Sequence, residues 1–403
     1  MRHVDSVLPG LRADKELGCF SQLASFFVDY PERAKARGEK IAATGPLSPG
    51  ELLMAAGAQP YDMLTHESVL QSMLGERTEL VHGAVEAGMS PELSPWHLIM
   101  LGSLLKEQEL LTPSLVSSAV GEFDDQLTKS FQVIARARAL PLRFWEVPGY
   151  DPDAQKWALA YLKKELEQLA RWLKLQTGRA VKEDGLHRAI TLTNTLRRDM
   201  QRLDACLSVP HVPIAALDYY FIHMLTGDWG LDPQALHLLF LTLLEELEAR
   251  IQRGFQPAWV QPAPTRVYIV GDETQELSLF NAIENYGGCL VGCDFRLPVY
   301  HELIDEDGDS FTALAGWVWR MPNNMPAGLR IQTEMTAIRR QKPEAVIISS
   351  VVGSRHFPGS ERLVRDMVRE ELGVPTLSIE TTLPHENGEK IDYQVRAFME
   401  MMR

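Results

Sequence analysis

Cysteine is scarce in this chain: there are four in 403 residues, at positions 19, 206, 289 and 293. So few thiols in so long a chain exclude a disulfide framework and lead us to expect a reducing, cytoplasmic setting. Positive charge is also short. Lysine and arginine number 40 against 54 acidic residues, a net charge of −14, which opposes non-specific binding to nucleic acid or to an anionic membrane. Long apolar runs are missing too. The opening MRHVDSVLPGLRADKE lacks the apolar core of a secretory signal. The most apolar helical stretch, ALHLLFLTLLEELEARI from Ala235, meets Glu245 and Glu246 before it reaches membrane-spanning length. Neither a membrane nor a nucleic acid is therefore expected as a partner.

Several motifs of known chemistry are absent. No G-x-G-x-x-G follows a strand, and there is no G-x-x-x-x-G-K-[ST] phosphate loop. No H-E-x-x-H or H-x-x-x-H pair is present to hold a metal, and no G-x-S-x-G elbow to present a serine nucleophile. What is present is the composition of a soluble globular protein, 45% hydrophobic and 23% charged, in a chain long enough for more than one core.

The pattern divides the chain. Residues 1–37 read as a helical segment and 38–150 as a first α/β domain. In the latter, KIAAT, QPYDML, ELLTPSLVSSAV and LPLRFWEVP are strand candidates, and Ser48-Pro49 is expected to cap a helix ended by Gly57. Residues 151–258 are nearly all helix. Leu159, Leu162, Leu166, Leu169 and Leu173 recur at three- and four-residue steps before Gly178. After the proline-rich QPAWVQPAPT, residues 265–403 alternate strand and helix again, with strands RVYIVG, CLVGC, AVIISS and VPTLSIE. The expected fold class is α/β, with two doubly wound parallel-sheet lobes of Rossmann or flavodoxin-like plan and an intervening helical segment.

Candidate site residues cluster in AVIISSVVGSRHFPGS, residues 345–360, a buried strand that empties into a polar loop. Loops at the carboxyl ends of parallel strands are where such sheets bind ligands. His356 can change charge near neutral pH and Arg355 can clamp an anion, although a histidine beside proline also serves as an ordinary surface residue. Asp272 and Glu273, at the end of RVYIVG, read as caps of the next helix. Cys289 and Cys293 admit two readings, as iron–sulfur ligands or as small buried residues of a strand, and the second is preferred. Trp317 and Trp319 read as core.

The order of these segments resembles the subunits of 2-hydroxyacyl-CoA dehydratases and benzoyl-CoA reductases. GPLSPGELLMAAGAQPYDM is similar to that family's P-x-E-L-I-x-A-A-G-x-x-P segment, and the helical middle to its asparagine–arginine stretch, here Asn194 and Arg197. RVYIVG, AVIISS and VPTLSIETT…YQVRAFMEM, with Arg396, resemble its C-terminal sheet and closing helix. The resemblance implies a two-subunit enzyme acting on an acyl-CoA thioester. It also implies a [4Fe-4S] cluster held by three cysteines and an ATP-hydrolysing activator that supplies an electron. The chain departs from that pattern where the cluster ligands belong. Ser94, Phe123 and Ser354 stand at those positions, and no cysteine lies between Cys19 and Cys206. Clusters select soft thiolates, so no cofactor is expected on this chain.

Four functional expectations follow. The leading one is a cluster-free companion subunit that completes an acyl-CoA cleft beside a cluster-bearing homologue. The second is a stand-alone enzyme using acid–base chemistry, with His356, Arg355 and Asp124 as its residues. The others are a cluster enzyme built on Cys289 and Cys293 and a non-catalytic acyl-CoA-binding protein.

Overall fold

The computed structural model describes residues 13–14, 16–45, 48–74, 77–120, 125–355, 357–383 and 386–402. Helices α1 (Phe20–Val28) and α2 (Tyr30–Arg37) lead into β1 (Lys40–Thr44). Then come α3 (Gly50–Ala55), β2 (Ala58–Tyr61), α4 (Met63–Leu74), α5 (Arg77–Glu86), α6 (Pro95–Leu105) and β3 (Leu115–Val120). α7 (Asp125–Ala137) and β4 (Leu142–Glu146) complete the first sheet. Four helices follow: α8 (Gln155–Thr177), α9 (Glu183–Cys206), α10 (Ala216–Met224) and α11 (Pro233–Gln252). The second sheet contains β5 (Thr265–Gly271), α12 (Ser278–Asn285), β6 (Gly288–Cys293), α13 (Leu297–Tyr300), α14 (Ser310–Arg320) and α15 (Ala327–Gln341). It closes with β7 (Ala345–Val351), α16 (Glu361–Met367), β8 (Thr376–Thr381) and α17 (Gly388–Met401).

Both sheets are four-stranded and parallel, in the orders β2-β1-β3-β4 and β6-β5-β7-β8. The two orders are the same plan repeated. In each, the chain reverses direction of travel between its first and third strands, which opens a crevice at their carboxyl ends. β6 and β7 are buried along their whole length, as expected where helices cover both faces. Gly292 on β6 leaves room for its neighbour on β5, since a Cβ there would lie 2.6 Å from the Tyr268 ring.

The helical middle anchors the first sheet. Leu162, Leu166, Leu169 and Leu173 of α8 are fully buried, each contributing about 2 kcal/mol of apolar burial. They pack in one cluster with Leu53, Leu115 and Trp145 and with Trp317 and Trp319 of α14, so both tryptophans are core residues, as expected. Gly178 ends α8 in the left-handed conformation. On α9 the buried Arg197 pairs with Glu51 of α3 at 2.8 Å, and Asn194 accepts from Ile304 N and donates to Ile304 O. Arg396 is exposed and pairs with Glu400 on its own helix.

One expected cap is corrected. Pro49, not Ser48, stands at the N-cap of α3, and Ser48 Oγ instead accepts from Gly45 N at 3.2 Å. Proline's fixed φ positions the first turn there, while the serine closes the preceding bend. No described helix is long and apolar enough to cross a membrane.

Candidate functional site

The carboxyl ends of both sheets converge on one cavity of about 110 Å³. Gly45 and Asp62, just past β1 and β2, face Gly271, Glu273, Gln275, Phe295 and Arg296, which end or follow β5 and β6. Thr65 and Ser68 of α4, Trp96 of α6 and Gly227 fill the rest of that wall. Asp62 directly follows a strand and Thr65 lies in the first turn of α4, while Glu273 and Gln275 belong to the segment that joins β5 to α12.

Arg296 ties the two lobes together. Its Nη1 lies 2.8 Å from Asp62 Oδ2 and its Nη2 lies 2.9 Å from Glu273 Oε2. Nη2 also donates to Thr65 Oγ1. Asp62 is itself held in place: its backbone N–H donates to Asp228 Oδ2 at 3.0 Å, and His66 Nε2 lies 3.0 Å from the same oxygen. Gly227 makes this approach possible, because a Cβ there would sit 2.4 Å from Asp62 Oδ2.

Burial decides the protonation of these groups. Desolvation pushes Glu273 up to about 7 against the downward pull of Arg296. For His66, burial opposes the charged form, but the Asp228 carboxylate prevails and the net direction is upward. Arg296 moves up as well, because Glu273 and Asp62 outweigh its desolvation. The cavity thus contains a carboxyl group that can give or take a proton near neutrality, beside a guanidinium that stays charged. Beneath it Glu67 accepts from Ser103 Oγ at 2.7 Å and from Tyr61 O–H at 2.8 Å, and burial raises it too.

The positions singled out in the sequence meet nearby, where the loop after β7 presses on the start of α6. Gly353 adopts φ +80°, and a Cβ there would lie 2.9 Å from Glu92 O and 3.1 Å from Ser94 N. Gln126 bridges the two segments, accepting from Ser94 N at 3.0 Å and donating to Gly353 O at 2.6 Å. Ser94 is buried, with its Oγ 2.6 Å from His97 Nδ1. Ser354 Oγ donates to Asp272 Oδ1 at 3.1 Å. Arg355 lies on the surface and pairs with Asp125 at 3.1 Å. Phe123, Asp124 and His356 lie outside the described residues.

The capping expectation for Asp272 and Glu273 is overturned. Helix α12 begins only at Ser278. Asp272 Oδ2 accepts from Val351 N at 3.0 Å and so fixes the loop after β7, while Glu273 points to Arg296. An acidic pair after a strand looks the same in sequence whether it caps a helix or faces a crevice. The reading of the sequence missed Asp62, His66, Asp228, Gln275 and Arg296. The available signal was polar residues directly after apolar strands, as in QPYD, RVYIVGDETQ and CLVGCDFR.

All four cysteines are buried. Cys289 and Cys293 both lie on β6. Burial pushes the Cys289 thiol up to about 12 and the Cys293 thiol well above its ordinary value. Cys293 Sγ lies 3.5 Å from His223 Nδ1, inside a packed set of tyrosines. A thiol held protonated is a poor ligand and a poor nucleophile. Among the described residues no three His, Cys, Asp or Glu side chains group as a metal site.

A family model described as 2-hydroxyglutaryl-CoA dehydratase, D-component, matches residues 47–402. No curated protein matches the chain.

Proposed function

This chain belongs to the 2-hydroxyglutaryl-CoA dehydratase D-component family, and from that premise we propose that it is a cluster-free companion subunit of a 2-hydroxyacyl-CoA dehydratase-type complex. It contributes a wall of the acyl-CoA cleft and an interface, while a homologous partner carries the [4Fe-4S] cluster and an ATP-dependent activator supplies the electron. The observation that carries this reading is the donor set where the loops meet. Ser94 and Ser354 stand on the two segments that meet there, and each hydroxyl is already engaged, with His97 and with Asp272. Phe123, the third position, offers only carbon. Cubane irons select thiolates, and the four cysteines lie buried in other segments. The residues present do not fit a cluster at this place, and the chain is assigned no electron-transfer step.

Purification under strict anaerobiosis, followed by iron and acid-labile sulfide assays, tests the cluster-free part. Stoichiometric iron and sulfide would overturn it. Co-expression with a cysteine-complete homologue tests the companion part, with a stable complex as the expected result and a monomer indifferent to that homologue as the contrary one.

A second reading, a stand-alone enzyme using acid–base chemistry on an acyl-CoA, is favoured by Glu273, raised to about 7 in the cavity beside Arg296. It moves the acid–base role from His356, Arg355 and Asp124 to Glu273. Turnover of a 2-hydroxyacyl-CoA by aerobic protein, lost in Glu273→Gln, would select it.

A further inference from the structure

The second sheet ends in an open edge. β8 is the last strand in the order β6-β5-β7-β8, and it runs beside β7 without a bulge from Val346–Thr376 to Val351–Thr381. On that inner side Pro375 O accepts from Val346 N and Thr381 O from Val352 N. Alternate residues of a parallel strand bond to the same neighbour, so Thr376, Ser378 and Glu380 turn their backbone groups outward. No proline stands in the six residues of the strand to close that edge.

A groove of about 880 Å³ lies along the start of this edge, with Pro375, Thr376 and Leu377 as its floor. Its two walls differ. Right-handed crossovers place α16, which joins β7 to β8, on one face of the sheet. They place α12, which joins β5 to β6 in the opposite direction, on the other. α17 sits with α12, where Tyr286 O–H donates to Asp392 Oδ2 at 2.6 Å. The α16 side brings Arg362, Arg365 and Arg369 into the groove with a single carboxylate, Asp366. The α17 side brings Tyr393, Ala397, Phe398 and Met401, of which Tyr393 is 72% and Met401 78% exposed.

We propose that this groove receives an extended, acidic segment of a partner protein, which adds to β8 as a fifth strand. Charge selects the occupant. In a chain of net charge −14, this lining has three arginines and one aspartate. Arg362 and Arg365 hold Asp366 and Glu361 only at 3.5 to 4.0 Å, in pairs open to water. Such pairs are weak and yield to a closer carboxylate. Successive side chains of a strand point to opposite faces, so acidic residues of the segment meet the α16 arginines while the apolar residues between them meet the α17 wall. Backbone hydrogen bonds to the edge then give affinity, and the alternation gives specificity. The groove lies at the amino-terminal start of β8, at the other end of the sheet from the cavity, so the proposal stands apart from the acyl-CoA reading.

Fluorescence anisotropy on the full chain with three labelled six-residue peptides tests this. One alternates glutamate and valine, one alternates lysine and valine, and one has three glutamates followed by three valines. The alternating acidic peptide should bind at least about tenfold more tightly than either other, and more weakly as salt is raised. It should slow amide hydrogen exchange at Thr376, Ser378 and Glu380. The double variant Arg365→Glu, Arg369→Glu, both at the surface, should shift the preference to the lysine peptide. Where that variant fails to fold, the wild-type series and the exchange pattern decide. Binding of none of the peptides, equal binding of all three, or binding without protection of those amides would overturn the proposal. So would a dimer in sedimentation velocity that the double variant abolishes, which would give the groove to a second copy of this chain.

Discussion

Replacing Glu273 by glutamine should change how the stability of this protein depends on pH, by an amount that follows from the site. The carboxyl ordinarily titrates at 4.5, and burial raises it to about 7 in the folded state. Below 4.5 it is neutral in both states. Between 4.5 and 7 the folded chain keeps a proton that the unfolded chain releases, so its contribution to stability fades as pH rises through that window. Each pH unit of separation is worth about 1.4 kcal/mol, which gives a loss of about 2–3 kcal/mol between pH 5 and pH 8 from this group alone. Glutamine does not titrate, so the variant escapes that loss. Relative to wild type, Glu273→Gln should gain about 2–3 kcal/mol on going from pH 5 to pH 8. The pH-independent cost of losing a charged partner for Arg296 cancels in this comparison. Asp218 and Glu334, both raised to about 7 by burial, titrate in both proteins and cancel as well. Urea unfolding at the two pH values gives the four free energies needed. Parallel pH dependence in the two proteins would refute the claim that burial governs this carboxyl.

Other outcomes follow from contacts around the cavity. Glu51→Gln should cost about 3–5 kcal/mol, because it leaves the Arg197 charge, only 1% exposed, without its counter-ion; urea unfolding of Glu51→Gln, and of the pair with Arg197→Met, should show the double variant recovering part of that loss. Gly227→Ala should destabilise by about 1–3 kcal/mol, since the new methyl must displace Asp62 from Arg296, and its melting temperature reports the change. The four thiols should resist iodoacetamide in the native protein and react only after unfolding, as counted by mass spectrometry, because all are buried and protonated thiols alkylate slowly.

The strands were legible in the sequence because apolar β-favouring runs bounded by glycine or proline admit few other structures. KIAAT is β1, AVIISS lies within β7, and CLVGC lies within β6. The repeat of strand order in the two sheets was not written in any local pattern, since order depends on which strands pair across the chain. The loop after β7 was recognisable as a carboxyl-end loop, and Ser354 does fasten there to Asp272. Arg355 was readable as a residue of that loop, but not its outward course to Asp125. The cavity was hidden for a different reason. Thr65 and Arg296 touch across 231 positions, and Asp62 and Asp228 across 166, so no spacing along the chain announces them. Glu273 was visible and misread, because only the distant arginine distinguishes a site carboxylate from a helix cap.

Iron and acid-labile sulfide, measured on protein made and kept without oxygen and then exposed to reconstitution with ferrous iron and sulfide, reach the central claim most directly. With hydroxyls and a phenyl group where thiolates would have to stand, the chain should emerge from desalting with neither element in stoichiometric amount and without a cluster signal in electron paramagnetic resonance after reduction. A reducible cubane retained by the purified chain would contradict the account.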